Sequence, residues 1–213
     1  LTMNQISIQD TNTYEQIMTV AKELIQSYGY NGFSYADIAE RVGIRKATIH
    51  YHFPNKSYLA KITVARYREN FRQKFRHIEG QTNDPYNQIE MYVEMYRNVL
   101  KESDNICMCG MLAAEFATLP KDVSEEVQGF FLENEEWLAN VIKLVRKLEI
   151  GDIDMLNKSF EQDDAWLLLS GLEGAMLLAR THEGLPRFCS IVQRLLKGLG
   201  LVPANIDSST KNL

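Results

Sequence analysis

The segment Phe33–Leu59 constrains the fold of this chain more than any other segment. Ser34, followed three residues later by the acid Asp37, fits a capping box, in which a hydroxyl and a carboxylate satisfy free backbone N–H groups at a helix start. Gly43 can adopt the positive φ that a sharp turn between helices requires. Pro54 disfavours helical conformation in the residue before it and so ends the second helix. The pattern predicts two short helices joined by a tight turn, at residues 35–42 and 46–52.

Two helices joined by a short turn that contains glycine form the helix-turn-helix unit. In this unit the second helix lies in the major groove of DNA and the first crosses the backbone. Arg45 and Lys46 begin the second predicted helix, where the helix dipole also attracts phosphate, and Thr48 can contact a base edge. We therefore predict that this segment binds duplex DNA. The predicted DNA-binding residues are Ser34, Tyr35, Arg45, Lys46, Thr48, His50, Tyr51, His52 and Lys56.

Residues 14 to 60 resemble the DNA-binding domain of the TetR/AcrR family of transcriptional regulators. The chain departs from the family pattern at Arg45 and Ala47, where the family usually has Ser and Gly, and at His50, where it most often has Tyr. The resemblance implies a homodimeric regulator, most often a repressor, that binds a palindromic operator and is released by a small apolar or electrophilic inducer. The matching residues are Tyr28-Gly29-Tyr30, Gly32-Phe33-Ser34, Asp37-Ile38-Ala39, Val42-Gly43, Lys46-Ala47-Thr48-Ile49 and Tyr51-His52-Phe53-Pro54-Asn55-Lys56.

The composition favours an all-α protein: the chain has 213 residues, is 45% hydrophobic and contains few prolines. We expect an N-terminal three-helix helix-turn-helix domain at 10–57, a larger helical ligand-binding and dimerisation domain at 58–202, and a disordered tail at 203–213. Three cysteines, an odd number, fit a reducing compartment better than a disulfide framework. The sequence has no apolar run of about 18 residues, so we expect no contact with a membrane. We predict a cytoplasmic protein, and we expect no cofactor and no metal ion.

The net charge of −5 is distributed unevenly along the chain. Between Arg45 and Arg76 there are nine Lys or Arg residues and one Glu, a balance of +8, which leaves −13 for the rest. An acidic body repels DNA and helps to direct the basic segment toward it. The spacing of Arg68, Arg72 and Arg76 predicts a solvated stripe on one helix face, so we do not expect the whole basic segment to contact DNA.

The remaining sequence has apolar residues at helical spacing throughout. We expect loops at 80–85 and 151–157, and Pro186 suits the start of the last helix. The other predicted helices are 13–28, 56–78, 86–102, 106–118, 123–148, 162–181 and 186–198.

The predicted helix 162–181 is apolar around much of its circumference, which indicates that it packs against two partners. Gly171 and Gly174 would allow another helix to approach closely. The alternative is a buried central helix in a monomer. The family resemblance favours a dimer interface formed by residues 162–198 of each subunit.

The middle helices are rich in methionine and aromatic residues, which suit adaptable apolar cavities. The plain alternative is that these side chains simply form the core. In the family this region holds the inducer pocket. The predicted pocket residues are Tyr92, Met95, Tyr96, Met111, Phe116, Phe130 and Trp137.

Cys107 precedes Glu115 by eight residues in a segment that resembles the N-ethylmaleimide-responsive branch of the family, in which the corresponding Cys senses electrophiles. A helix N-terminus also stabilises the reactive thiolate. Cys is also frequent there in relatives with no known redox role, so a cysteine without a sensing function is the alternative. A metal site at Cys107 and Cys109 lacks a nearby third ligand, and Cys189 is predicted to be an inert core thiol.

Two further classes of function compete with a specific regulator. An enzyme is disfavoured because the sequence contains no phosphate-binding glycine loop, no G-x-S-x-G and no H-E-x-x-H motif. An architectural protein that binds DNA without sequence preference is the stronger alternative, although the small basic segment and the acidic body argue against it.

Overall fold

The computed structural model describes residues 3–102, 105–150 and 158–203, and this part of the chain is all-helical, as predicted. Among these residues, no helix combines the length and the apolar character needed to cross a bilayer. The helices are α1 (Met3–Tyr28), α2 (Tyr35–Val42), α3 (Lys46–His52), α4 (Lys56–Gln81), α5 (Pro85–Glu102), α6 (Met108–Ala114), α7 (Lys121–Ile150), α8 (Lys158–Ala179) and α9 (Gly184–Gly198), with a 3-10 turn at Phe116–Thr118.

The two helices of the helix-turn-helix begin and end where the sequence predicts, and capping residues specify both ends of α2. The Ser34 hydroxyl accepts the N–H of Ala36 at 3.1 Å, and the Asp37 carboxylate accepts the N–H of Ser34 at 2.7 Å. Gly43 has φ 75° and donates its N–H to the Ala39 carbonyl at 3.0 Å. The predicted capping box and left-handed glycine are both confirmed.

Other helix limits differ from prediction. α1 begins at Met3 rather than near residue 13. The predicted helix 106–118 is shorter, since α6 ends at Ala114 and a 3-10 turn follows. α9 begins at Gly184, so Pro186 lies in its first turn, where a missing N–H costs no helical hydrogen bond. The predicted irregular segment 151–157 and all but the first residue of the predicted tail lie outside the described residues.

The chain packs as two compact units that do not follow chain order. The first contains the described residues of 1–70 and 105–130, and the second those of 71–104 and 131–213. α6 therefore packs with the helix-turn-helix and contacts α1. The grouping reflects packing, so the predicted functional division between residues 57 and 58 stays a prediction.

The first unit has an aromatic and aliphatic core beneath the helix-turn-helix. Ile17 of α1, Ile38 of α2 and Ile49 of α3 are fully buried. Phe53 is also fully buried, and its ring stacks on Tyr14 with centroids 4.8 Å apart. This core holds α3 on its inner side and leaves its outer side exposed.

In the second unit, α8 and α9 pack together, and both contact α5. The approach of α8 to α9 is close: a Cβ at Gly171 would lie 2.2 Å from Cδ2 of Leu195. The buried residues of this helix pair are Ala165, Leu168, Leu169, Leu172, Ala175, Met176, Ala179, Phe188, Val192 and Leu196.

Candidate nucleic-acid interface

α3 is amphipathic in the way that the sequence predicts. Ile49 is fully buried, whereas Arg45, Lys46 and His50 are exposed at the outer face. Tyr51 is 75% exposed, an unusual state for so large an aromatic side chain in a folded monomer. Cations and polar-tipped rings thus share one face of a helix whose opposite face is anchored in the core. Such a face can contact phosphate oxygens and base edges.

The rings of α3 are positioned by their neighbours. The Tyr51 ring meets the His52 ring edge-on, with centroids 5.0 Å apart, and His52 also contacts Tyr14 at 6.0 Å. His50 packs edge-on against Tyr35 at 4.9 Å, and its Nδ1 lies 3.2 Å from the Pro54 carbonyl oxygen. These contacts limit the rotamers available to the exposed rings, which lowers the entropy lost when they bind a partner.

Tyr35 and Lys56, both predicted to bind DNA, make contacts within the first unit. Tyr35 is buried and donates its hydroxyl to the Phe53 carbonyl at 3.0 Å, and burial raises the pKa of Tyr35 to about 12. The Lys56 ammonium donates to the Phe33 carbonyl and lies 4.3 Å from the centroid of the Phe33 ring. Burial lowers the pKa of Lys56, while Glu115 and Asp37 act in the opposite direction. These two side chains stabilise the unit, and their contacts with DNA stay a prediction.

The predicted solvated arginine stripe on α4 is wrong for Arg68, whereas Arg72 keeps 41% of its side chain exposed but is paired with an acid. The Arg68 side chain is only 16% exposed, and its Nη1 lies 2.5 Å from Oε2 of Glu126. Arg72 makes a two-pronged contact with Glu133, at 2.9 Å from Nε and 2.5 Å from Nη2. Both cations are paired with acids of α7, so less positive charge is available to DNA than the sequence count suggests.

The predicted pocket residues divide between the two units. Tyr92, Met95, Tyr96 and Trp137 are buried in the second unit. The Trp137 ring stacks on Tyr92 with centroids 5.4 Å apart. Met111, Phe116 and Phe130 belong to the first unit, where Phe130 is fully buried and Phe116 is 46% exposed.

Sequence reasoning missed the polar groups beside these rings. The Tyr92 hydroxyl donates to Oδ1 of Asn134 at 2.8 Å, and the Tyr96 hydroxyl lies 3.3 Å from Oε1 of Glu173. Asn134 is only 1% exposed. Its position three residues before Trp137 and four after Phe130 was a readable signal, because that spacing places it on the buried face of the helix.

The cysteines occupy different environments. Cys107 is 1% exposed at the N-terminus of α6, and the Tyr67 hydroxyl donates to its sulfur at 3.8 Å. Cys109 is fully buried, whereas Cys189 is partly exposed, so the prediction that Cys189 is a core thiol is wrong. Among the described residues, no group of three potential metal ligands comes together. A buried Cys107 would meet an electrophile only after local opening, so its sensing role stays a prediction.

Comparison with known proteins places this architecture among bacterial regulators. Residues 17–61 match the sequence model described as "Bacterial regulatory proteins, tetR family". A solved structure of a TetR-family transcriptional regulator from Agrobacterium tumefaciens is 33% identical, with a TM-score of 0.80, over 89% of this chain and 98% of that one. The HTH-type transcriptional regulator LmrA of Bacillus subtilis is 25% identical over 189 residues, which are 86% of this chain and 96% of LmrA.

The electrophile-responsive branch is a more distant neighbour. The reduced form of NemR from E. coli has a TM-score of 0.69 and 14% identity, over 87% of this chain and 96% of that one. At this identity the likeness shows a shared fold alone.

Proposed function

This chain belongs to the tetR family of bacterial regulatory proteins, which are DNA-binding transcription regulators and not enzymes, and we propose that it is a homodimeric repressor of a palindromic operator. One observation supports this proposal most: the outer face of α3 exposes Arg45, Lys46, His50 and Tyr51 while Ile49 anchors its inner face. A short helix held in this way can enter the major groove as a rigid body.

The exposed side of α8 supports a dimer formed by residues 162–198. Four large apolar side chains on α8 are about half exposed: Trp166 at 48%, Leu167 at 53%, Leu177 at 53% and Leu178 at 47%. A Cβ at Gly174 would meet no atom within 4 Å, so a partner helix could approach there. A two-fold dimer presents two recognition helices to two half-sites, which is why the proposed operator is palindromic.

We also propose that a small apolar or electrophilic molecule releases the operator in the cytoplasm. The buried aromatic cluster of Tyr92, Tyr96 and Trp137, with Asn134 beside it, supports a site for a small molecule. A ligand that prefers a dimer conformation unable to bind DNA weakens operator binding, and the operator weakens the ligand by the same factor.

Operator binding can be tested by fluorescence anisotropy with duplexes from upstream of the protein's own gene and a scrambled duplex. Near-physiological salt suppresses non-specific phosphate binding. We expect tight binding to the native duplex alone, at two chains per site. Tyr51→Ala and Lys46→Ala should each weaken this binding about tenfold, because each removes a groove or phosphate contact.

Tyr28→Ala is the matched control, since Tyr28 is 54% exposed in the same unit but does not lie on α3. Unchanged affinity in both α3 variants would contradict the proposed interface. If the protein binds the native and scrambled duplexes equally, selection from random duplexes decides whether it recognises any specific sequence. Failure to enrich any sequence would favour an architectural DNA-binding protein.

A further inference from the structure

The turn between α1 and α2 is held by an acid from a distant part of the chain. Oε2 of Glu115, just after α6, accepts the N–H of Tyr30 at 2.5 Å. Oε1 of the same carboxylate accepts the N–H of Asn31 at 3.3 Å and its side-chain amide at 3.2 Å. Consecutive backbone N–H groups that converge on one anion form a nest, and here the anion is a side chain of the protein itself.

Gly29 shows that the turn is shaped around this carboxylate. Its φ is 75°, and a Cβ there would lie 2.5 Å from Oε2 of Glu115. The Gly29 N–H donates to the Ile25 carbonyl at 2.9 Å and so completes the last turn of α1. Glycine thus meets two requirements at once, the left-handed backbone and the space that the carboxylate occupies.

Further hydrogen bonds join the residues around Glu115 to the C-terminal end of α1 and the turn that follows it. Gln26 is 4% exposed and donates from Nε2 to the Ile106 carbonyl at 2.9 Å. The Ser27 hydroxyl donates to Oδ1 of Asn105 at 2.8 Å. Asn31 also donates from Nδ2 to the Thr118 hydroxyl at 2.9 Å. Residues 105–118 therefore bind the C-terminal end of α1 and the following turn at several points.

The turn leads directly to the elements that present α3. Phe33 follows it, and the Phe33 carbonyl accepts the Lys56 ammonium at the start of α4. Tyr35, the first residue of α2, donates its hydroxyl to the carbonyl of Phe53, the residue directly after α3. A shift of the turn would therefore move both the start of α2 and the end of α3.

We infer that Glu115 is a positioning residue for operator recognition: its carboxylate in the 29–31 turn sets the orientation of α2 and α3 without touching DNA. The inference rests on the proposed operator binding. The positioning role and simple electrostatics predict opposite changes in DNA affinity when the charge of Glu115 is removed. Removal of a negative charge from a DNA-binding unit should strengthen DNA binding by charge alone, whereas loss of the positioning contact should weaken it.

The decisive variant is Glu115→Gln. The Gln side chain has nearly the same shape as Glu, but an NH2 donor replaces one of the two oxygens that accept hydrogen bonds from the turn. The probe is the duplex that the wild-type protein selects from a random pool. We expect about tenfold weaker binding of this duplex, which corresponds to about 1.4 kcal/mol. Binding to a scrambled duplex should be unchanged or slightly tighter, because the lost negative charge acts on any duplex. Backbone hydrogen exchange of residues 28–33 should become faster in the free protein, because two N–H groups lose a charged acceptor.

Glu125→Gln is the control for charge, since Glu125 lies in the same unit, has a side chain that is 62% exposed and pairs with Lys121 at 3.7 Å. It should leave the selected duplex bound equally or slightly more tightly. Equal or tighter binding by Glu115→Gln would overturn the inference, as would a loss that the unfolded fraction in a melting curve fully explains. If the wild-type protein selects no duplex, the proposed function fails first, and faster exchange at residues 28–33 alone then tests the contact.

Discussion

Ser34 and Asp37 determine the start of α2 through hydrogen bonds between residues only three positions apart. Besides the N–H of Ser34, Oδ2 of Asp37 accepts the Ser34 hydroxyl at 2.8 Å. The side-chain and backbone hydrogen bonds from Ser34 lower the pKa of Asp37, and the nearby Arg41 acts in the same direction. The pair is exposed, so its hydrogen bonds and charge, rather than burial, specify where the helix begins.

Ser34→Ala should destabilise the protein by about 1 kcal/mol at pH 7, measured by urea denaturation, because the helix loses its N-cap. The folded-state pKa of Asp37 lies below its unfolded value of about 3.9. The carboxylate therefore stabilises the fold above that value, and the contribution is lost as the pH falls through the folded pKa. The difference between wild type and variant should shrink below about pH 4.

Thr19→Ala serves as the control, since Thr19 is exposed in the interior of α1, where its hydroxyl donates to the Glu15 carbonyl at 2.9 Å rather than capping a helix start. A stability difference for Ser34→Ala that persists unchanged from neutral pH to about pH 2 would contradict the role given to Asp37.

At the scale of the element, Arg68 and Arg72 of α4 form ion pairs with acids of α7. Their helical spacing in the sequence predicts instead that both side chains face solvent. The Arg68 guanidinium lies against Gly129 of α7, where a Cβ would be 2.5 Å from its Cζ. The absence of a side chain at Gly129 makes room for the pair with Glu126. Within the second unit, Trp137 of α7 also donates to Glu79 of α4 at 2.9 Å. Polar side chains of α4 thus pack against α7 in both units.

Arg68→Ala should cost about 2 kcal/mol in the free energy of unfolding, because it leaves the largely buried Glu126 without its cation. Arg66→Ala is the matched control: Arg66 also pairs with an acid at 2.5 Å, but its side chain is 40% exposed and that of its partner Glu15 is 51% exposed. An exposed pair contributes less than about 1 kcal/mol. Equal losses in urea denaturation would show that burial does not determine the contribution of this pair.

At the scale of the whole molecule, the proposed function requires two chains. Leu167, Leu177 and Leu178 are each about half exposed in the single chain. Apolar area of this kind on a helix that already buries another face is typical of an interface. The proposed dimer would remove this area from water and place two α3 helices on one duplex.

Leu177→Glu should convert the dimer to a monomer in sedimentation equilibrium, because a carboxylate would be buried in an apolar interface. Operator affinity should fall with it, since one chain reads only one half-site. Leu148→Glu on α7 is the control: Leu148 is 66% exposed but lies outside residues 162–198. A dimer that survives Leu177→Glu but not Leu148→Glu would place the interface elsewhere.

The sequence by itself determined the helical class, the two helices of the helix-turn-helix and the exposed face of α3. Each depends on residues within one or two turns of each other: the capping pair at Ser34, the left-handed Gly43 and the i, i+4 spacing of Ile49 and Phe53. Local hydrogen bonds and helical periodicity act over such distances, so a linear pattern can be read directly.

Only the tertiary structure decided which polar side chains face inward. Arg68, Lys56 and Tyr35 have the residue types of a DNA-binding surface, yet they bond to Glu126, Phe33 and Phe53. The carboxylate of Glu115 accepts hydrogen bonds from the 29–31 turn, although Glu115 and Tyr30 are 85 positions apart in the sequence. Such contacts depend on which distant segments pack side by side, because burial makes an unpaired polar group costly and selects partners that sequence spacing does not reveal.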